Sequence, residues 1–376
     1  MQAVPLIPDP VLRSVRNETG YALFQCDKMG PGRKFHDTVV VKAAFALADG
    51  VLEPLDVRAP IHLSDTYWGP GPAARSSIRD PGDALFHKPG TDVIVTGTAR
   101  TPGRLALRLW EVAVVVRSAT STLLRHEVVA TGPRRWEHKG TLRGWRLSDP
   151  EPVTELPIRY ELAYGGAYHD PRKARDARGS NEEVAAEVVH ADNPCGVGFH
   201  DPDLLDPQRA YPAPQWELPN DPVTSLDRPC GLAGLGPVAR HWTARARYIG
   251  TTDDAWERRM RADLLERGLP FDYPEDFDPR FFQCAHPALA SATHLRGDEQ
   301  LGLRGLTGAR EDLLTRLPAV RVRARILPKG RDWSDATLPL DTVHVDLDLQ
   351  RVYLCWRLSV DQAQGVSDAV LYREGG

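Results

Sequence analysis

Residues 39–47 read Val-Val-Val-Lys-Ala-Ala-Phe-Ala-Leu, and Asp49-Gly50 follows. Val39, Val41, Ala43, Phe45 and Leu47 alternate with Val40, Lys42, Ala44 and Ala46. A period of two with β-branched residues places the two sets on opposite faces of a strand. Asp-Gly is a strong hairpin signal, so Val51 to Ile61 reads as the return strand, bent near Pro54. Further strands are predicted over Thr91–Val95, Leu105–Val116 and Leu123–Ala130, with turns at Thr101-Pro102-Gly103 and Ser118–Thr122. These links are shorter than the dozen or so residues a parallel crossover needs. Residues 20–135 therefore read as an antiparallel meander. The polar, Gly/Pro-rich stretch from Trp68 to Gly90 reads as a long surface loop.

The same logic applies at the other end. Val322, Ala324 and Ile326 alternate with Arg321, Arg323 and Arg325. Val343, Val345 and Leu347 alternate with His344, Asp346 and Asp348, and Val352, Leu354, Trp356 and Leu358 form a partner strand after a turn at Leu349-Gln350. One face is apolar and the other charged, which predicts a sheet with one solvated side. The middle carries fewer strand signals. A short helix is expected after Ser180, with Glu183 completing a capping box. A longer one is expected from about Asp253 to Arg267, with Trp256, Met260 and Leu264 on one face and Gly268 as the stop. Trp216, Leu218 and Leu226 are the expected apolar anchors of the Pro-rich segment 201–237.

The fold class is thus mainly β, a β-rich α+β chain. Antiparallel sheets are expected to pack as sandwich or barrel-like layers around a loop-rich middle with few short helices. Three regions follow: 1–150, an N-terminal β region; 151–310, the mixed middle; and 311–376, C-terminal strands packing back on the core. They can equally form one continuous unit.

Composition narrows the function. The 376 residues carry 47 Lys and Arg against 51 Asp and Glu, a net charge of −4, which argues against a nucleic-acid coat. The 31 Gly and 32 Pro favour turns over long helices. No run approaches the ~18 apolar residues of a membrane helix, and no secretory leader is visible, so a cytoplasmic protein without membrane insertion is expected. Five dispersed cysteines, with no CxxC pair, read as free buried thiols.

Motifs of catalysis are missing: no GxxxxGK[ST], GxSxG or HExxH occurs. The glycine-rich run 231–236 lies between prolines and reads as a loop. Asp272, Glu275, Asp276 and Asp278 lack the Gly and Glu spacing of a calcium loop and read as a capping loop. His344, Asp346 and Asp348 are too widely spaced on one strand for a single ion and read as a charged outer face. No cofactor or metal is expected. The candidate partner contacts are Tyr67, Trp68 and Arg75 in the long loop, and the basic strip Arg321, Arg323 and Arg325.

A series of short motifs points further. It runs from 39–45 through Ile61-His62-Leu63-Ser64-Asp65, Ser76-Ser77 and Lys88-Pro89-Gly90-Thr91-Asp92-Val93. It continues with Tyr160-Glu161-Leu162-Ala163-Tyr164-Gly165-Gly166, Asn193-Pro194-Cys195-Gly196, Gly236-Pro237-Val238-Ala239-Arg240-His241-Trp242 and Gly250-Thr251-Thr252, and ends on Asp276-Phe277-Asp278-Pro279-Arg280-Phe281-Phe282. This series resembles a bacterial domain-of-unknown-function family whose members look like adaptor chaperones for type VI secretion effectors. The chain departs from that pattern at Leu162-Ala163-Tyr164, Thr243-Ala244 and Thr252. The resemblance implies a cytoplasmic, non-catalytic adaptor whose partners are a secreted toxin effector and the spike or spike-tip protein. It also implies structural roles for Lys88 with Asp92, for Tyr160, Glu161 and Trp242, for Gly165-Gly166 as a turn, and for Asp276, Asp278 and Arg280 as a network. Alternatives are a metal-dependent hydrolase on a β scaffold and a structural component of a secretion or phage-like assembly.

Overall fold

The computed structural model describes residues 12, 14–69, 73–176 and 186–374. Its principal strands are β1 (Ser14–Asn17), β2 (Ala22–Met29), β3 (Phe35–Ala46), β4 (Asp92–Thr96), β5 (Leu109–Arg117), β6 (Thr122–Thr131) and β7 (Gln300–Arg304). They continue with β8 (Leu313–Arg316), β9 (Val322–Pro328), β10 (Ser334–Leu338), β11 (Leu340–Asp346), β12 (Arg351–Asp361) and β13 (Val366–Arg373). The fold is mainly β, as its alternating sequence predicts, and no sheet closes into a barrel.

Three sheets share one core. The first has the order β2-β3-β12-β11-β4, the second runs β6-β5-β7-β8 between two-residue edges at Trp216–Glu217 and Gly50–Val51, and the third is β1-β13-β9-β10. Val41 and Phe45 of β3, Val112 and Val114 of β5, Leu301 of β7, Ala324 of β9 and Leu354 of β12 all belong to a single buried cluster. Because alternate residues share a face, each of these strands contributes every second side chain to it.

Several expectations need correction. The N-terminal strands form no meander. The C-terminal hairpin β11–β12 inserts beside β3, and β4 pairs in parallel with β11. The hairpins β2–β3 and β5–β6 do form, but β4 takes its neighbour from the other end of the chain, so connection length could not decide its orientation. The return strand after Asp49-Gly50 shrinks to Gly50–Val51, paired in parallel with β8, and Glu53–Pro54, paired with β3. The described residues of 68–90 are not a surface loop: Ser76, Ser77, Asp83 and Lys88 among them are buried. The helix after Ser180 lies outside the described residues.

The longer helix forms where its signals place it, at Asp254–Arg267. Asp253 accepts a hydrogen bond from the Trp256 N–H at 2.8 Å, and Gly268 ends it at φ +64°. Its inner face is narrower than predicted: Met260 is buried, but Leu264 is largely exposed. Asp253→Ala should cost about 1 kcal/mol by removing that cap; a thermal midpoint equal to the parent's would show the cap to be energetically idle.

Candidate functional site

The outer face of the first sheet carries polar side chains that alternation assigns to one side: Lys42 on β3, Thr342, His344 and Asp346 on β11, and Arg357 on β12. This face is not solvated. His344 is 5% exposed, Lys42 5% and Arg357 4%. Residues 55–69 and 73–88 lie across it, which corrects the reading of His344 and Asp346 as a wet charged surface. Alternation reports which face is polar; it cannot report what covers that face.

The cover is held by charge. The Lys42 Nζ donates to Asp83 at 2.8 Å. The Arg357 Nε donates to Asp341 at 2.6 Å, and its NH1 donates to the carbonyls of Asp83 and Leu85. The Lys88 Nζ meets Asp92 at 2.8 Å and Thr342 Oγ1 at 2.8 Å. Glu161 accepts from the N–H and Oγ of Ser77 and from the Ser76 Oγ. Every cation taken out of water here has a carboxylate within reach, as burial of charge requires. Cys284 is tied to the same network through its N–H, which donates to Asp92 at 2.8 Å.

The motif residues around this network act as braces. The Tyr160 hydroxyl donates to the Gly236 carbonyl at 2.9 Å, and its ring meets Trp242 edge-on at 4.9 Å between centroids. Gly165 (φ +148°) and Gly166 (φ +107°) pack against residues 193–197; a Cβ on Gly165 would lie 2.2 Å from the Asn193 carbonyl oxygen. Asp276 accepts from both the N–H and the hydroxyl of Thr251 at 2.8 Å. Asp278 caps the turn 279–282 and grips Arg280. Asp272 accepts from the N–H groups of Gly32 and Arg33, a loop clasp between distant segments.

Of the candidate partner residues, Trp68 and Arg325 line two separate concavities, and Tyr67, Arg75, Arg321 and Arg323 line neither. Beneath the cover lies a pocket of ≈ 340 Å³ walled by Trp68, His62, Arg79, Asp80, His344 and Asp348. Trp68 is half-buried, with the Arg159 guanidinium 4.3 Å above its ring. Tyr67 is half-buried too, and Arg75 pairs with Glu187. Burial lowers the His62 pKa, and Lys42 lowers it further. Asp346 accepts from the N–H groups of Asp348 and Leu349 and so shapes the β11–β12 turn. Among the described residues, no group of three or more His, Cys, Asp or Glu is gathered as a metal site.

The second concavity is an open groove of ≈ 680 Å³ on the third sheet, walled by Arg16, Glu18, Arg325, Trp333, Tyr372 and Arg373. Here Arg16, Val370 and Arg325 lie side by side in register across β1, β13 and β9. Their neighbours on the opposite face, such as Ala324 and Ala369, are in the core. Arg325 lies 5.8 Å from the Trp333 ring centroid, while Arg321 and Arg323 both reach Glu374. Strand β10 ends this sheet. Trp333 and Arg373 join the groove from positions with no strand periodicity that would have announced them.

The profile of a bacterial family described as "Uncharacterized protein conserved in bacteria (DUF2169)" matches residues 32–357. The chain belongs to this family. The DUF2169 match spans the whole covered network, from Lys42 to Arg357, and stops short of β1 and β13, which supply Arg16, Tyr372 and Arg373 to the groove. Comparison with curated proteins and with solved structures finds no match. No helix among the described residues is long and apolar enough to cross a membrane.

Proposed function

We propose that this DUF2169 protein is a non-catalytic adaptor in the bacterial cytoplasm. It binds a type VI secretion effector and helps load it onto the spike. Two things support the reading: the motif series quoted above, and the groove on the third sheet. The groove carries the argument. Its walls are arginine, tryptophan and tyrosine, the residue types that dominate protein–protein binding energy. It is open to solvent, as a protein-binding surface must be. It also lies beside the edge strand β10, whose outer backbone groups can take an added strand from a partner. Three arginines against one glutamate favour an acidic partner surface.

The groove draws part of its wall from β1 and β13, outside the family match, while the buried network lies inside it. A shared scaffold with a variable gripping surface suits a family of adaptors that each serve one cargo.

The test is a tagged pulldown from the native bacterium with mass spectrometry. One large toxin-like protein should co-elute, together with spike components. Arg325→Glu combined with Trp333→Ala should reduce its recovery about 30-fold, the effect of removing a hot spot worth about 2 kcal/mol. A partnerless protein carrying about one metal ion per chain would overturn the adaptor reading in favour of the hydrolase.

A further inference from the structure

A smaller cleft of ≈ 220 Å³ lies on the far side of the Trp242 motif, between the short helix Thr243–Ala246 and the turn 279–282. Its charged walls are Arg245, Arg247 and Arg280; its other walls are Tyr248, Gln283 and a floor that includes Ala285 and Ala290. Among the described residues, no carboxylate lines it. The three cations are not equivalent. Arg280 is neutralised by Asp278 and lies 4.4 Å from the Tyr248 ring centroid. Arg247 lies 4.8 Å from the same ring and is exposed. Arg245 is 4% exposed, and it donates to backbone carbonyls alone: Nε and NH2 to Phe281, NH1 to Val238.

Arg245 thus stands apart from Lys42, Lys88 and Arg357, each of which has a buried carboxylate at hydrogen-bond distance. Among the described residues, no carboxylate comes within ion-pair distance of Arg245 or Arg247. Carbonyl dipoles satisfy part of the guanidinium's N–H set but supply no compensating charge. Burial accordingly holds Arg245 below the ordinary guanidinium value. A buried charge beside an open cleft invites a counter-ion from outside.

We infer that this cleft seats a single carboxylate, the side chain of a Glu or Asp in an extended partner segment, gripped by Arg245 and Arg247 over an alanine floor. Asp278 already holds Arg280, and Asp65 and Asp92 offset part of the buried Arg245 charge from a distance, so a single negative charge between Arg245 and Arg247 suffices. The planar guanidinium fork matches carboxylate geometry, and the small apolar floor suits the methylenes of an acidic side chain. That the segment belongs to a secreted effector rests on the adaptor reading; the cleft's chemistry does not.

The experiment measures binding of a fluorescently labelled, end-capped Ala-Glu repeat peptide to the full chain, with the Ala-Gln peptide as control. Two variants test the cleft without touching the buried arginine. Arg247→Glu reverses an exposed charge, and Ala292→Glu, also on the cleft wall, supplies the carboxylate internally. The Glu peptide should bind at least about tenfold more tightly than the Gln peptide, and each variant should lose about tenfold. Equal binding of the two peptides, or full binding by both variants, would overturn the assignment. So would inorganic phosphate that binds the parent more tightly than the Glu peptide does. The pulldown separates the two proposals. A parent that binds the Glu peptide but recovers no effector keeps the cleft and loses the adaptor. An effector recovered equally by the parent and Ala292→Glu, with peptide binding lost, removes the cleft from cargo recognition.

Discussion

Replacing Lys88 with Met should lower folding stability by about 3–5 kcal/mol, the cost of leaving a buried ion without its partner. Asp92 is completely buried, Lys88 is 3% exposed, and the two meet at 2.8 Å. Burial alone would push the Lys88 ammonium toward its neutral form. Asp92, with weaker help from Cys284 and Asp341, carries it above the ordinary lysine range instead. A raised ammonium pKa contributes fully below the unfolded value of about 10.4 and fades only as pH rises through the folded value, so neutral solution shows the whole effect. In Lys88→Met, Asp92 keeps the Cys284 N–H but loses its charge partner. Lys88→Met/Asp92→Asn should recover most of the loss, because the amide oxygen still accepts from Cys284 and no charge remains. Urea unfolding of the three proteins decides it. A single variant within about 1 kcal/mol of the parent, or a double variant no better than the single, would mean that the pair is not what holds segment 88–92 in place.

The strands themselves were legible; their neighbours were not. Val39–Leu47 and Val343–Leu358 announce themselves by a period of two, and the β11–β12 hairpin follows from its tight turn, where Gln350 takes φ +51°. That β12 pairs with β3 across some three hundred residues has no local signature, because pairing partners are chosen by the packed core. The covered polar face was misread for a related reason. Lys42, His344 and Arg357 look like solvent-facing residues in any window of their own strands. Of the counter-charges of Lys42 and Arg357, Asp83 lies in a Gly/Pro-rich segment without periodicity, and Asp341 stands beside a register shift at the start of β11. The groove was half visible. Arg325 sits in an alternating strip, but Trp333 follows a turn and Arg373 a different strand. The arginine cleft had no readable signal: Arg245 lies just past the Trp242 motif, Arg280 lies in another, and only the fold brings them to one wall.

Covered face and open groove divide the labour between them. Buried ion pairs add little net stability over apolar packing, yet breaking one is costly, so they penalise every arrangement in which the cover is misplaced. The cover sets Trp68 against Arg159, while the third sheet presents arginine and aromatic side chains to solvent. That division, a braced scaffold and a surface free to engage, suits the proposed adaptor role.

Acidification should unfold this scaffold through two buried histidines. The His286 Nδ1 accepts from the Ala288 N–H at 3.2 Å, and its Nε2 faces the Leu232 carbonyl at 3.1 Å. Only a neutral ring protonated at Nε2 satisfies both. Burial, with His126 stacked on it at 4.0 Å, brings its pKa down to about 3. His344, bonded to the Thr96 hydroxyl at 2.7 Å, is brought to about 3 by burial and then by Lys42. In the unfolded chain both titrate near the ordinary value of about 6.5. Between about pH 6.5 and 3 the unfolded state therefore binds protons that the native state refuses, so stability is flat above that window and falls as pH drops through it. Each ring contributes about 1.4 kcal/mol per pH unit, so the pair removes about 5 kcal/mol by about pH 4.5. Asp27 and Asp346, whose carboxyl pKa values burial raises, work in the opposite direction. The clean observable is therefore a difference between proteins. His286→Asn keeps an acceptor for the Ala288 N–H and cannot titrate. Its stability should fall less steeply with acid than the parent's, by about 1.4 kcal/mol per pH unit below about pH 6. Parallel curves would mean that the native fold accepts the proton after all, and that the stacked His126–His286 pair opens to water without unfolding.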